Sequence, residues 1–129
     1  MNEDASERDL KILKNINALL KKDSRFLLTT LNGLRMIRMY NDNDVKEGRF
    51  DPLTITVIHP LTELIKDAPS NILIREKGFT AIELMHMFRA SGFSVEHIWG
   101  GTAGSWKRKP LKMDEMEVMV LSRKIKNID

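Results

Sequence analysis

Cysteine is absent from this 129-residue chain, which excludes disulfides and thiolate chemistry and fits a reducing, cytoplasmic setting. No apolar run approaches the ~18 residues that a membrane-spanning helix needs. The opening Met-Asn-Glu-Asp is acidic and polar, unlike a secretory leader, so the expectation is a cytoplasmic protein with no membrane contact. Charge of one sign is not in great excess: 21 Lys and Arg stand against 18 Asp and Glu, and a net +3 does not by itself argue for nucleic acid. Metal-ligand spacing is missing too. His59, His86 and His97 include no i, i+4 pair, and no cysteine assists them. There is no internal repeat, low-complexity run or second domain.

What is present reads as one globular domain over 1–129, with 1–5 and 125–129 frayed. The composition is 42% hydrophobic and 30% charged, and a chain of this length buries roughly two-thirds of its unfolded surface. The best-specified stretch is Lys77 to Trp99. Thr80 and Glu83 have capping-box spacing. Ala81, Leu84, Met85 and Phe88 form one helical face, and Gly92 sits where a left-handed stop belongs. Phe93, Val95, His97 and Trp99 then alternate with Ser94, Glu96 and Ile98 as a strand would.

Upstream, Ser6 and Asp9 have N-cap and N3 spacing, and Leu10, Leu13, Ile16 and Leu20, joined by Ile12 and Leu19, predict a helix over 6–21. Arg25 to Leu31 is a near-continuous β-prone run, the pattern of a strand buried on both faces. Leu34 to Tyr40 is ambiguous, and Asn41 to Gly48 is polar and turn-rich. Phe50 to Pro60 reads as an irregular or edge strand that can pair with 72–75 as a hairpin. Met116 to Ser122 is a last strand before a polar tail. Gly100 to Ser105 is glycine-rich, but a phosphate loop needs a helix next, and Trp106-Lys107-Arg108-Lys109-Pro110 follows, so it reads as a plain loop. The methionines fit adaptable packing, and Asp114, Glu115 and Glu117 fit a solvated edge. Trp106 to Lys109 sets an aromatic beside three cations, best read as solvated without a second stacking platform. Asn32 ends the first strand, where α/β sheets place ligands, although Asn-Gly also forms turns.

The order helix, strand, excursion, helix, strand, strand resembles the C-terminal half of a class I S-adenosylmethionine (SAM)-dependent methyltransferase. The carriers are Leu13 to Lys21 with Arg25 to Leu28, Arg49 to Thr54, Phe79 to Leu84, Ala90 to Val95 and Glu117 to Lys124. The turn Lys22-Asp23-Ser24 departs from the family's usual Pro-Gly-Gly. The resemblance spans roughly residues 6–124. It implies a partial Rossmann-like fold: a small mixed α/β sheet of strands near 25–31, 93–99 and 116–122, the last antiparallel in the middle, covered by helices 6–21 and 80–91, with an inserted hairpin near 50–75. It also implies that the chain starts after the family's fourth strand, without the glycine-rich loop and ribose-binding carboxylate that hold SAM.

Three functions follow as expectations. The first is the substrate-side half of a small-molecule methyltransferase, with SAM bound only if a partner supplies the site, and with Asn32, Arg75, Trp99 and Trp106 as substrate-side candidates. The second is a non-catalytic module derived from that fold, a homo-oligomer or a partner of a complementary chain covering the 25–31 edge. The third and weakest is a nucleic-acid-binding domain using the loop at Trp106 to Lys109.

Overall fold

The computed structural model describes residues 3–128. Helix α1 (Glu3–Leu19) starts three residues before Ser6, so the expected N-cap lies inside the helix. Residues 3–5, expected frayed, are helical; Met1, Asn2 and Asp129 lie outside the described residues. The helix buries Leu13 and Asn17, with Ile16 and Leu20 packed beside them. Ile12 and Leu19, expected on the stripe, are exposed. The true stripe is 13, 16, 17, 20, and one of its members is polar.

After a turn comes β1 (Arg25–Leu31), then α2 (Gly33–Met39) and α3 (Asp42–Lys46). Strands β2 (Phe50–Asp51), β3 (Thr56–Pro60) and β4 (Leu73–Lys77) follow, with a 3-10 turn, Leu61–Glu63, after β3. Helix α4 (Ala81–Ala90) leads to β5 (Phe93–Gly101) and β6 (Glu117–Lys124).

The larger sheet has the order β1-β6-β5. Strand β6 lies in the middle, antiparallel to both neighbours, as expected. Its larger core is Leu13, Leu84, Phe88, Phe93, Val118 and Val120, all on the side of α1 and α4. Phe26 stacks on Phe88 at 5.7 Å between ring centroids. Strand β1 is not buried on both faces. Phe26 and Leu28 pack inward, while Leu27 on the reverse face is half exposed. The helices cover only one side.

Strand β5 breaks the alternation expected of it. The register with β6 shifts between Val95 and His97, so Glu96 is a bulge. Phe93 and Val95 point to the core before the bulge, and Ile98 does so after it. His97 and Trp99 therefore share the reverse face, stacked at 4.9 Å.

The caps also differ from expectation. Thr80 Oγ1 accepts the Glu83 N–H at 3.3 Å, but the Glu83 carboxylate lies 3.5 Å from Lys77 Nζ, which leaves the box half made. A complete box occurs at α3, in the stretch read as polar turn. Asn41 Oδ1 accepts the Asn43 and Asp44 N–H groups, and Asp44 accepts the Asn41 N–H at 2.9 Å. On α4, Leu84 and Phe88 are buried as expected, but Met85 is exposed and Met87 packs in its place. Gly92 takes φ +84°, and a Cβ there would stand 2.5 Å from the Lys126 carbonyl, so both backbone and packing require glycine.

The inserted segment forms a second sheet, β2-β3-β4, with a core of its own: Met36, Phe50 and Val57. Tyr40 stacks flat on Phe50 at 5.1 Å. The expected single strand 50–60 is split in two because Ile55 takes a positive φ of 51°.

Candidate functional site

A cleft of about 470 Å³ lies between α1 and the smaller sheet. Arg8, Asp9 and Ile12 of α1 form one wall. The other wall follows from strand register. Thr56 pairs with Asp51 and Lys77, and Ile58 pairs with Arg75. Residues opposite one another, and residues two apart, share a face. One face of the sheet thus presents Asp51, Thr56, Ile58, Arg75 and Lys77 together, with Thr54 beside them.

Lys77 joins the walls. Its Nζ donates to Asp9 Oδ2 at 2.8 Å, lies 3.5 Å from Glu83 Oε2 and sits 4.5 Å from the Phe79 ring centroid. Asp51 Oδ1 accepts the Leu53 N–H at 2.9 Å, and the Thr54 and Thr56 hydroxyls bond each other at 2.8 Å. Next to this cleft, sharing Asp9 and Ile12, is a smaller apolar cavity of about 180 Å³ lined by Leu13, Leu28, Phe79, Leu84 and Met87, with Thr29 and Thr30 of β1. The smaller cavity thus adjoins the carboxyl half of β1, the end where α/β sheets hold ligands, and the cleft meets it at Asp9 and Ile12. The lining is suited to binding. Its carboxylates are already engaged, and it holds no nucleophile paired with a base.

The reverse face of the smaller sheet carries His59, whose ring nitrogens stand 3.4 Å from Glu63 and 3.8 Å from Glu76. Burial, and then the carboxylates of Asp44, Glu76 and Glu63, push the nearby Tyr40 phenol above its ordinary pKa. Among the described residues no group of His, Asp and Glu is arranged to hold a metal ion.

The four substrate-side candidates do not converge. Arg75 lines the cleft. Asn32 is buried and spends its side chain on structure. Its Oδ1 accepts the Leu34 N–H as the cap of α2, and its Nδ2 donates to the Glu115, Lys112 and Met113 carbonyls at 2.8, 3.2 and 3.3 Å. Trp99 lies on the reverse face of the larger sheet, with the Arg108 guanidinium 5.9 Å from its ring. Trp106 lies against Gly101, where a Cβ would stand 2.5 Å from the indole Cε3. Gly101 at the end of β5 thus serves as a seat for an indole, and turns rather than a helix follow it.

Sequence reading missed Arg8, Asp9, Thr54, Thr56 and Lys77. The available signal was the i, i+2 repetition Thr54, Thr56 and Arg75, Lys77, which marks one polar face of a hairpin.

No family model matches the chain, and no curated protein matches it. Among solved structures, a SAM-dependent methyltransferase from Methanosarcina mazei matches 93% of the chain with a TM-score of 0.60 and 13% sequence identity. The chain spans about half of that protein, 52% of its length. What this likeness establishes is the fold: the chain has a methyltransferase-like α/β architecture.

Proposed function

We propose that this chain is the substrate-holding part of a SAM-dependent methyltransferase, acting together with the polypeptide that carries the cofactor-binding strands. The observation that carries this reading is the larger sheet: β1 and β5 run parallel with β6 antiparallel between them, and the outer edge of β1 pairs with no described strand, bridging only at its end, where the Leu31 carbonyl accepts the Phe79 N–H. An apolar edge open along most of its length is a place where a further strand adds. The smaller cavity beside the carboxyl half of β1, with the cleft that meets it, supports the assignment of substrate to this part of the fold.

Calorimetric titration of SAM tests the division of labour. The isolated chain is expected to release no binding heat at micromolar SAM, whereas the complex purified from native cells binds it. Tight binding by the isolated chain would overturn the proposal.

A second reading is favoured by the half-exposed Leu27 on that edge strand: self-association of a non-catalytic module. Light scattering at high micromolar concentration separates the two. A monomer rules out self-association, while a stable dimer that Leu27→Lys dissolves supports it.

A further inference from the structure

We propose that the cleft between α1 and the smaller sheet binds a small molecule with an oxyanion head, a carboxylate or a phosphate, held between Arg8 and Arg75, its apolar body lying against Ile12 and Ile58. The assignment rests on reading this cleft as the substrate side of the fold.

The argument begins with the arginines. The chain has nine. Six have partners: Arg25 and Arg123 meet Glu96, Arg38 meets Asp114, Arg49 meets Asp44 and Glu47, Arg35 donates to the Asp114 carbonyl, and Arg108 faces Trp99. Of the three without an ion pair or hydrogen bond among the described residues, Arg8 and Arg75 line the same cleft. The third, Arg89, lies elsewhere, beside Phe93.

Neither acid of the cleft forms an ion pair with these two. Asp9 is taken by Lys77 at 2.8 Å, and Asp51 accepts a backbone N–H. Two guanidiniums on opposite walls therefore make no ion pair among the described residues, and the lining of two aspartates, two arginines and Lys77 carries a net positive charge. A guanidinium offers a planar fork of donors that matches a carboxylate or phosphate two bonds at a time, and such charge-assisted bonds are the strong ones.

The shape agrees with the charge. The cleft volume of about 470 Å³ falls within the ~300–1,000 Å³ of small-molecule sites. Ile12 and Ile58 supply an apolar surface between the arginines, and the adjoining apolar cavity extends it past Leu13 and Leu28. An anion alone would leave that surface uncovered; an anion with a ring or short chain would fill it.

The test is a nuclear magnetic resonance titration of the full chain with phenyl phosphate, benzoate and benzyl alcohol, the last a neutral relative of the other two. The expected result is saturable movement of the Arg8, Ile12, Ile58 and Arg75 amides with at least one acid, and no saturation with the alcohol. The acid that binds more tightly identifies the head group. R8A and R75A, each with a dispersed folded spectrum, should weaken binding about tenfold, the loss of one charge-assisted hydrogen bond, while R89A leaves it unchanged.

Cleft amides unmoved by both acids would overturn the proposal. So would benzyl alcohol binding as well as the acids, or R8A and R75A binding as the unaltered chain does. None of these readouts uses SAM or a partner. Oxyanion binding in a complex that transfers no methyl group would sink the methyltransferase reading alone. Methyl transfer to a neutral substrate through an unresponsive cleft would sink only this inference.

Discussion

Lys124 shows how a single side chain ties distant parts of the chain together. It is the last residue of β6 and only 2% exposed. Its ammonium donates to the Asn17 and Leu20 carbonyls at 2.6 Å each, at the end of α1, where the Asn17 carbonyl also accepts the Leu20 N–H. Asn17, equally buried, returns the favour by donating to the Ser91 and Lys126 carbonyls. Replacing Lys124 with Met should keep the volume but strip the Leu20 carbonyl of its donor and leave that of Asn17 with the Leu20 N–H alone, lowering stability by about 1–3 kcal/mol in urea denaturation. Sequence alone placed Lys124 at the edge of a polar tail, because its burial depends on carbonyls more than a hundred residues away. Asp44 makes a pH prediction. The Asn41 backbone N–H, and then the Arg49 guanidinium, hold its carboxyl below the usual carboxylate range. A depressed folded-state value means that the contribution of Asp44 is present above the ordinary aspartate pKa and is lost as pH falls through the depressed one. The Asn41 amide resonance should therefore titrate with a midpoint below about 3.9, the unperturbed value, and Asp44→Asn should abolish that transition.

At the scale of elements, the Glu96 bulge decides what the larger sheet shows to each side. Were Glu96 an ordinary ladder residue, strict alternation would send His97 and Trp99 into the core and turn Ile98 outward. Deleting Glu96 should set Val95 and His97 side by side opposite Ser122 and Leu121, a regular ladder that keeps Ile98 in the core, so cooperative unfolding by circular dichroism should survive. Inserting a second residue beside Glu96 should instead be tolerated only if it does not enter the ladder. The helix-stop-strand stretch from 80 to 99 was legible because its signals are local: Thr80 caps, Gly92 turns left-handed, and Phe93 starts a strand. The bulge was not legible, since an extra residue is defined only against β6. The same division separates the two capping boxes. The pattern at Thr80 and Glu83 was visible, yet Lys77 competes for its carboxylate from another element. The box at Asn41 and Asp44 is complete, but it caps a helix of five residues without an apolar stripe to announce it.

For the whole molecule, sheet order was readable because the antiparallel last strand is a property of element sequence, and the fold likeness agrees with it. The cleft was not readable, since its walls come from the first helix and a hairpin some forty to seventy residues later, and only register brings Arg75 and Lys77 opposite Arg8 and Asp9. The predictions at this scale are the SAM titration and the light scattering described above. The two packing centres of the chain, one around Phe88 and one around Phe50, lie on opposite sides of that cleft. The Asp9–Lys77 pair crosses between them as a clasp, with both side chains about one-quarter exposed. Salt weakens such a pair. Rising ionic strength should then speed hydrogen exchange in the first turns of α1 while leaving β6 unchanged. It should also slow the entry of an anionic ligand and lower its affinity, so that the ions that loosen the clasp also screen the arginines from what they would hold.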